Sequence, residues 1–287
     1  EVRRAIDTED VRVIFAESLA NPGGVITDIS ALKEIAKEVG IPLIIDNTMA
    51  TPFLCQPIEH GADIVIHSTT KFLSGHGNAM GGAIVDAGTF DWSQNNNFPS
   101  LSEPEDAYHG INFYESFGDL AYTTYGHAVG LRDLGPTMAP MNAYLTIMGI
   151  ETLALRMERH VQNAISVAKF LETHDKVSWV SYAGLKSSKY HKLGKKYLPK
   201  GAGSVFTFGL KGGYQAGVKC VERCELFSHL ANIGDTRSLI LHPASTTHRQ
   251  LTDEQRIAAG AGDDVIRISI GLETDADIIA DLDQALV

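Results

Sequence analysis

Two short apolar runs, each ending in a residue that can do chemistry, constrain the fold of this chain more than any other feature. The first run is Leu43–Asp46 and the second is Ile64–Lys71. Apolar runs of this length, separated by one short crossover, are typical of neighbouring parallel strands buried in an α/β sheet. Asp46 and Lys71 would then lie at the same carboxyl edge of the sheet, which is where α/β folds bind ligands.

The pair has a chemical logic. A lysine that forms a Schiff base must be neutral part of the time, and partial burial at a strand end lowers its pKa. A pyridine ring between the two could form an imine with Lys71 while Asp46 keeps the ring nitrogen protonated, which makes the ring an electron sink. Ser68 and Thr70 would face the same side of an extended backbone and could donate hydrogen bonds to phosphate oxygens.

The S-x-T-K pattern by itself is weak. A strand that ends in a polar turn with a surface lysine is the commoner outcome for so short a motif. The carboxylate of Asp46, 25 residues before Lys71, is what favours a binding site.

Strands and helices alternate along the first half of the chain, as a parallel sheet with crossover helices requires. A polar stretch with Asn and Pro is predicted to be a long loop, and helices are predicted again from about Gly118. The predicted elements are a strand at 11–16, a helix at 28–39, strands from 43, at 64–68 and at 80–86, and the loop at 86–110.

In the second half the predicted strands are fewer and more widely separated, which is typical of an α+β unit. A long amphipathic helix is predicted from about Ile150 to His174, with apolar residues at helical spacing. The other predicted elements are strands at 177–182, 204–210 and 265–270, a basic polar loop at 186–200, a helix at 215–226 and a closing helix.

Composition limits the partners. A formal charge of −11 with no basic cluster argues against nucleic acid and anionic membranes, because phosphate contacts require Lys and Arg. No apolar run approaches the ~20 residues that span a bilayer. Three cysteines form no disulfide framework, which favours a reducing compartment, with the cytoplasm as the default. Cys220 and Cys224 are half of a possible metal site, but no second pair completes it, so no metal is predicted.

Several motifs together resemble the Cys/Met-metabolism family of pyridoxal-phosphate enzymes, which have fold type I. They occur in the family's order across nearly the whole chain. The residues that carry the resemblance are ESLANPGG at 17–24, IDNT at 45–48, HSTTK at 67–71 with SGHG at 74–77, LALRMERH at 153–160, KYLPKGAG at 196–203, HPASTTH at 242–248 and RISIGLE at 267–273.

The resemblance implies an α/β transferase of fold type I, with a mostly parallel sheet, helices on both its faces and a smaller C-terminal α+β domain. Residues 1–152 would be the C-terminal portion of the large cofactor-binding domain, and 153–287 the small domain. The family places a substantial segment before the point where this chain opens, so that segment is expected to be absent. The family also implies a homo-oligomer, a tetramer built from dimers that share active sites.

The resemblance assigns roles to further residues. The turn after Asn21 is ordinary by composition, but the family's matching asparagine approaches the ring hydroxyl of pyridoxal phosphate and the substrate carboxylate. Arg267 stands in an apolar strand, where a lone cation needs a partner. One interpretation is that Arg267 forms an internal ion pair. The resemblance implies instead that Arg267 makes a two-pronged contact with the substrate α-carboxylate, which suits arginine better than lysine. Asn232 falls where the family positions a residue near that carboxylate.

The activity implied is γ-substitution on O-acetyl-L-homoserine by sulfide or methanethiol, with Lys71 as the base and pyridoxal 5'-phosphate as the cofactor. Cystathionine γ-synthase and methionine γ-lyase share every cofactor residue and stay open as alternatives. The segment Tyr197–Gly201 and the long loop after Asp86 favour the γ-substitution by sulfide or methanethiol over these two alternatives. A non-catalytic fragment that serves only as a structural partner in an oligomer is the alternative from another class.

Overall fold

The computed structural model describes Glu1–Leu286, and its first half is built on a four-stranded sheet with the order β1-β2-β3-β4. The first three strands are parallel, and the register aligns Glu17 with Asp46 and Asp46 with Ile66. Their carboxyl ends therefore meet at one edge, as the two apolar runs predicted. The strands are β1 (Ile14–Glu17), β2 (Leu43–Asp46), β3 (Ile64–Ser68) and β4 (Gly82–Asp86).

The strand β4 runs antiparallel to β3. The residues between them form a single wide helical turn and a loop and include no crossover helix. A parallel connection usually crosses the face of the sheet through an α-helix, and residues 69–81 contain none, so the chain returns in the opposite direction. The sheet is thus mostly parallel with one antiparallel edge.

Helices of the first half surround this sheet. The helix predicted from Asp28 is confirmed, because the Asp28 side chain accepts a hydrogen bond from Ala31 N and Gly40 ends the helix with a left-handed φ of 67°. The helices are α1 (Val2–Thr8), α2 (Ile29–Val39), α3 (Thr51–Leu54), α4 (Pro99–Ser102), α5 (Phe113–Phe117), α6 (Ala121–Tyr125) and α7 (Pro140–Glu151).

The prediction of one long loop over 86–110 is wrong in part. This stretch contains α4 and the strand β5 (Pro104–Glu105), which pairs with β6 (Ile111–Asn112), and helix resumes already at Phe113. An aromatic cluster that includes Trp92, stacked on Tyr122, gives these short elements a small core of their own. Elements of two to five residues are too short for a hydrophobic period to reveal.

The second half begins after a break at Thr152, where α7 ends and the 21-residue helix α8 (Leu153–Thr173) starts. The single helix predicted from Ile150 is therefore two helices. We propose this break as the division between the segments 1–152 and 153–287. The remaining helices are α9 (His191–Tyr197), α10 (Gly213–Arg223), α11 (Asp253–Ala258) and α12 (Asp275–Ala285).

A five-stranded sheet with the order β7-β8-β11-β10-β9 forms the centre of this half. Its neighbours are antiparallel except for the parallel pair β9 and β10. The prediction of a loop over 186–200 is wrong in part, because α9 lies within it, and β9 and β10 were not predicted. The strands are β7 (Val177–Ser181), β8 (Val205–Leu210), β9 (Ser228–His229), β10 (Leu239–Leu241) and β11 (Val265–Ser269).

One buried apolar cluster continues from the first sheet to the second, and α8 contributes its apolar stripe to it. This shared core holds the carboxyl edge of β1, β2 and β3 in a fixed relation to β11. Within Glu1–Leu286, no helix has both the length and the apolar character that crossing a bilayer requires.

Candidate active site

Lys71 lies in a short turn directly after β3. Residues Thr69–Leu73 form a single wide helical turn in which Lys71 has non-helical angles of φ −90° and ψ −130°. Its Nζ donates a hydrogen bond of 2.5 Å to Asn232 Oδ1. Burial lowers the pKa of Lys71, and the positive charge of Arg267 lowers it further. The turn therefore presents an amine that loses its proton more readily than a surface lysine does.

Asp46 is held at the end of β2 by Thr48. The Thr48 N–H donates to Asp46 Oδ1 at 2.8 Å, and Thr48 Oγ1 accepts from the Ser68 N–H at 2.8 Å. One threonine thus ties the ends of β2 and β3 together and fixes the carboxylate of Asp46. Thr48 was not predicted to have a role, although an aspartate at the end of a strand often accepts from the N–H two residues later in an Asx turn.

Asn21 and Glu17 complete the edge at the end of β1. Asn21 Oδ1 is buried and has no hydrogen-bond partner within Glu1–Leu286, and its backbone N–H donates to Glu17 Oε2 at 3.2 Å. Burial raises the pKa of Glu17, and the nearby charge of Asp46 also raises it. A buried amide oxygen without a partner is the mark of a missing donor. Glu17 was missed as a site residue, although it directly follows the strand predicted at 11–16.

Ser68 and Thr70 do not form the pair of donors that an extended backbone would give. The chain turns helical at Thr69, so side chains no longer alternate after Ser68. The Thr70 hydroxyl donates to Gly81 O at 3.3 Å and accepts from Gly81 N at 3.2 Å. In this arrangement its proton is used inside the protein, which corrects the predicted geometry. A phosphate contact from either hydroxyl stays a prediction.

Arg267 reaches the same place from the second sheet. It lies in the middle of β11, and its Nη2 donates to the Asn232 carbonyl at 3.3 Å. No carboxylate of the described residues forms an ion pair with it, which removes the internal salt bridge as an explanation. Burial lowers the pKa of Arg267. Lys71 and Arg267 are thus close enough for their charges to interact, neither has an ion-pair partner among residues 1–286, and a ligand carboxylate would offset both charges.

The structure therefore brings Lys71, Asn232 and Arg267 into one contact group and places Asp46 and Asn21 at the ends of the strands beside it. In Glu1–Leu286 no group of three or more His, Cys, Asp or Glu side chains is arranged to hold a metal ion. Cys220 and Cys224 are free thiols, the first buried and the second half-buried.

Comparisons with known proteins agree with this geometry. A family model described as Cys/Met metabolism PLP-dependent enzyme matches residues 1–287. This chain belongs to that family. The chain is 48% identical to an O-acetyl-L-homoserine sulfhydrylase of Leptospira meyeri, covering 99% of this chain and 66% of the relative. It is 50% identical to a homocysteine synthase of Schizosaccharomyces pombe, and the match covers 97% of this chain and 65% of that relative. The chain thus spans about 65% of the length of the relatives it matches.

Two solved structures are also similar. A putative O-acetylhomoserine (thiol)-lyase from Campylobacter jejuni, solved with N'-pyridoxyl-lysine-5'-monophosphate, matches with a TM-score of 0.95 and 42% identity over 100% of this chain and 69% of that one. A cystathionine gamma synthase from Xanthomonas oryzae, in complex with aminoacrylate and cysteine, matches with a TM-score of 0.78 and 34% identity over 96% and 62%. The first sheet and its lysine-bearing edge thus belong to a fold type I enzyme.

The side chains at this edge fit pyridoxal phosphate, the cofactor of the family. The half-buried amine of Lys71 suits its aldehyde, and the carboxylate of Asp46 suits a protonated ring nitrogen. The orphaned Oδ1 of Asn21 suits the ring hydroxyl, which is a donor. These assignments enter the proposal below.

Proposed function

We propose that the protein containing this chain catalyses γ-substitution on O-acetyl-L-homoserine. Sulfide or methanethiol forms a C–S bond at Cγ as the Cγ–O bond to the acetoxy group breaks, which gives homocysteine or methionine plus acetate. The observation that carries the proposal is the contact group of Lys71, Asn232 and Arg267, in which an amine of lowered pKa lies near an arginine that pairs with no carboxylate of residues 1–286. The names of the relatives at 48% and 50% identity support this choice of substrate.

Each residue has a distinct task in the proposed reaction. Pyridoxal phosphate, when bound, supplies an electron sink for the carbanion that forms at the substrate Cα. Asp46 holds a proton at the ring nitrogen, and Thr48 orients its carboxylate. Lys71 Nζ would hold the cofactor through its aldehyde and, as a neutral amine, would move protons at the substrate Cα and Cβ so that acetate can leave Cγ. Its lowered pKa keeps part of the amine neutral for this work.

The remaining side chains bind and orient. Arg267 takes the substrate α-carboxylate through a charge-assisted contact, and Asn232 stands between it and Lys71. Asn21 accepts from the ring hydroxyl, and Ser68 and Thr70 contribute to the phosphate site. For Thr70 this requires its hydroxyl to exchange Gly81 O for a phosphate oxygen.

The setting of the enzyme is also part of the proposal. We infer a cytoplasmic homotetramer built from dimers that share active sites, which acts on small molecules and binds neither nucleic acid nor membrane. The charge of −11 supports the last two statements.

Cystathionine γ-synthase activity is the second candidate, and the similarity to the Xanthomonas enzyme at 34% identity favours considering it. Methionine γ-lyase would use the same cofactor residues. The segment Tyr197–Gly201, which favoured a sulfhydrylase in the sequence, includes a residue that supports the fold. Tyr197 is buried, and its hydroxyl donates to Asp28 and accepts from the Ser30 N–H at 3.1 Å. The choice therefore depends on the relatives' names more than on this segment.

Two measurements test the proposal. A visible absorption band that disappears on borohydride reduction, with the label on Lys71, separates a cofactor-binding enzyme from a non-catalytic structural partner. A side-by-side assay of O-acetylhomoserine with sulfide, O-acetylhomoserine with cysteine, and methionine alone separates the three activities. Turnover should be fastest with sulfide or methanethiol. A label on another lysine, or faster turnover with cysteine or methionine, would overturn the corresponding assignment.

A further inference from the structure

One face of α8 buries polar side chains that donate to backbone carbonyls after β11. The Nδ1–H of His160 donates to Ile270 O at 2.7 Å, and Asn163 Nδ2 donates to Gly271 O at 3.0 Å. Both side chains are almost completely buried, with exposures of 0% and 1%. These carbonyls immediately follow the strand that carries Arg267, so α8 is attached directly to the end of that strand.

The opposite end of the same face attaches α8 to the turn of Lys71 through Arg156. Its Nη1 donates to Phe72 O at 2.8 Å, and its Nη2 donates to Leu73 O at 3.4 Å and to Gly149 O at 2.6 Å. Its Nε donates to Thr152 Oγ1 at 3.2 Å. Arg156 is 6% exposed, and no carboxylate in the described part of the chain pairs with it. A buried guanidinium here is satisfied by carbonyls of two separate segments.

The packing around Arg156 leaves little room for independent movement. A Cβ at Gly75, where φ is +75°, would lie 2.3 Å from Arg156 Nη1. A Cβ at Gly149 would lie 2.4 Å from Leu73 O. The turn of Lys71, the end of α7 and the start of α8 are therefore in direct contact, and a shift of one must move the others.

We propose that Arg156 is a positioning residue that fixes the Lys71 turn against α8 and so holds Nζ opposite Arg267. The helix then sets the separation of the two cationic groups, because His160 and Asn163, one and two turns further along it, are bonded to the segment after β11. Arg156 acts through the backbone of residues 72 and 73 and not on the substrate. The functional meaning of this geometry rests on the proposed role of Lys71.

Several charged and titratable groups surround the turn and must be considered in any pH measurement. Arg267 acts on Lys71 directly. His160 packs edge-on against Phe72, Asp235 approaches Gly77 after the turn, and His67 precedes it on β3. Arg156 itself does not contribute to the lowered pKa of Lys71 by its charge. A change at Arg156 therefore reports on the position and burial of the turn.

The test measures the reactivity of Lys71 in the protein without cofactor. An amine-directed reagent such as acetic anhydride is applied in short pulses across a pH series, and the labelled peptides are quantified by mass spectrometry. The midpoint of the profile depends on the amine's pKa and not on its accessibility. In Arg156→Met the turn loses its anchor and Lys71 gains solvent, so we expect its midpoint to rise and its neutral fraction near pH 8 to fall roughly three- to tenfold.

Two further variants complete the experiment. Arg156→Lys keeps the charge but cannot reach three carbonyls, so it should show a partial effect in the same direction. Arg159→Met is the matched control: Arg159 lies on the same helix and donates to Glu273 O at 3.1 Å, away from the turn, and its removal should leave the Lys71 profile unchanged. Circular dichroism and thermal unfolding establish that each variant is folded.

The outcomes separate a positioning role from a general one. Unchanged Lys71 profiles in folded Arg156 variants would overturn the proposal, and so would an equal shift in Arg159→Met. Loss of folding in both Arg156 variants would assign Arg156 to stability and also overturn it. Failure of this proposal can be distinguished from failure of the proposed function. A borohydride label on another lysine would refute the role of Lys71 in the reaction. The pH profile of Lys71 labelling would still report how Arg156 positions the turn.

Discussion

Replacing Arg267 with alanine should separate substrate binding from cofactor binding. The side chain stands in β11, contacts Asn232 and pairs with no carboxylate in the described chain. A charge-assisted hydrogen bond in such a site contributes roughly 1.5–3 kcal/mol. Its loss should raise the O-acetylhomoserine concentration needed for half-saturation by about one to two decades. The cofactor's absorption band should stay.

The same substitution should change the pH dependence. Arg267 lowers the pKa of Lys71, so it favours the neutral amine that acts as the base. Without that charge the pKa of Lys71 rises, and the acidic limb of the kcat profile should move to higher pH. A lysine at position 267 should restore the position of the limb better than the substrate affinity, because an ammonium keeps the charge but not the two-pronged geometry.

The assay is steady-state kinetics of the full-length holoenzyme with O-acetylhomoserine and sulfide over a pH series. Arg223→Ala is the matched control, since Arg223 lies at the exposed end of α10 and should have no effect on either parameter. If Arg267→Ala loses the cofactor, or saturates at the same substrate concentration as the parent protein, Arg267 supports the fold and the assignment to the substrate carboxylate is refuted.

Three further predictions follow from the site. Lys71→Ala should abolish turnover and the borohydride-reducible label while the chain stays folded by circular dichroism; a retained label would place the cofactor on another lysine. Asp46→Asn should slow single turnovers by about one to two decades with a smaller loss of cofactor affinity, and parental rates would remove Asp46 from the site. Burial lowers the pKa of His160 to about 4 from 6.5, so its neutral form stabilises the fold above pH 6.5, and this contribution is lost as the pH falls towards 4. The free energy of unfolding in urea should fall as the pH falls from 6.5 towards 4, and His160→Gln should make this fall smaller. An unchanged dependence of that free energy on pH in His160→Gln would contradict the assignment.

Parts of the fold could be predicted because their signals are local. The strand Ile64–Ser68 is confirmed residue for residue, and α2 has its cap at Asp28 and its stop at Gly40. The direction of β4 could not be predicted from its apolar pattern, because that pattern is the same for either direction and the difference lies in the connection, which has no crossover helix. The helix α9 was hidden by a basic, polar sequence in which only Gly194 and Tyr197 are buried, and the Tyr197 hydroxyl accepts from the Ser30 N–H of α2.

The site was predictable where a residue's type limited its role. A lysine after a buried strand and a carboxylate at the end of the neighbouring one leave few chemical uses, and the sheet register places both at one edge. The geometry of Ser68 and Thr70 could not be predicted, because it depends on where the strand ends. One residue more of extended backbone would have brought both hydroxyls to the same side.

The contacts that hold the site in place were the least predictable, because they are made to backbone carbonyls. A carbonyl is present at every residue, so nothing in the sequence marks Phe72 or Gly149 as the acceptors for Arg156. The spacing of apolar residues in α8 predicts a helix that buries only apolar side chains. Its buried side in fact carries polar residues among apolar ones such as Met157 and Ala164. A buried arginine without an acidic partner costs free energy unless its N–H groups are all directed to acceptors. In this chain those acceptors are the backbone carbonyls of Phe72 and Leu73 in the turn of Lys71, together with the carbonyl of Gly149 at the end of α7.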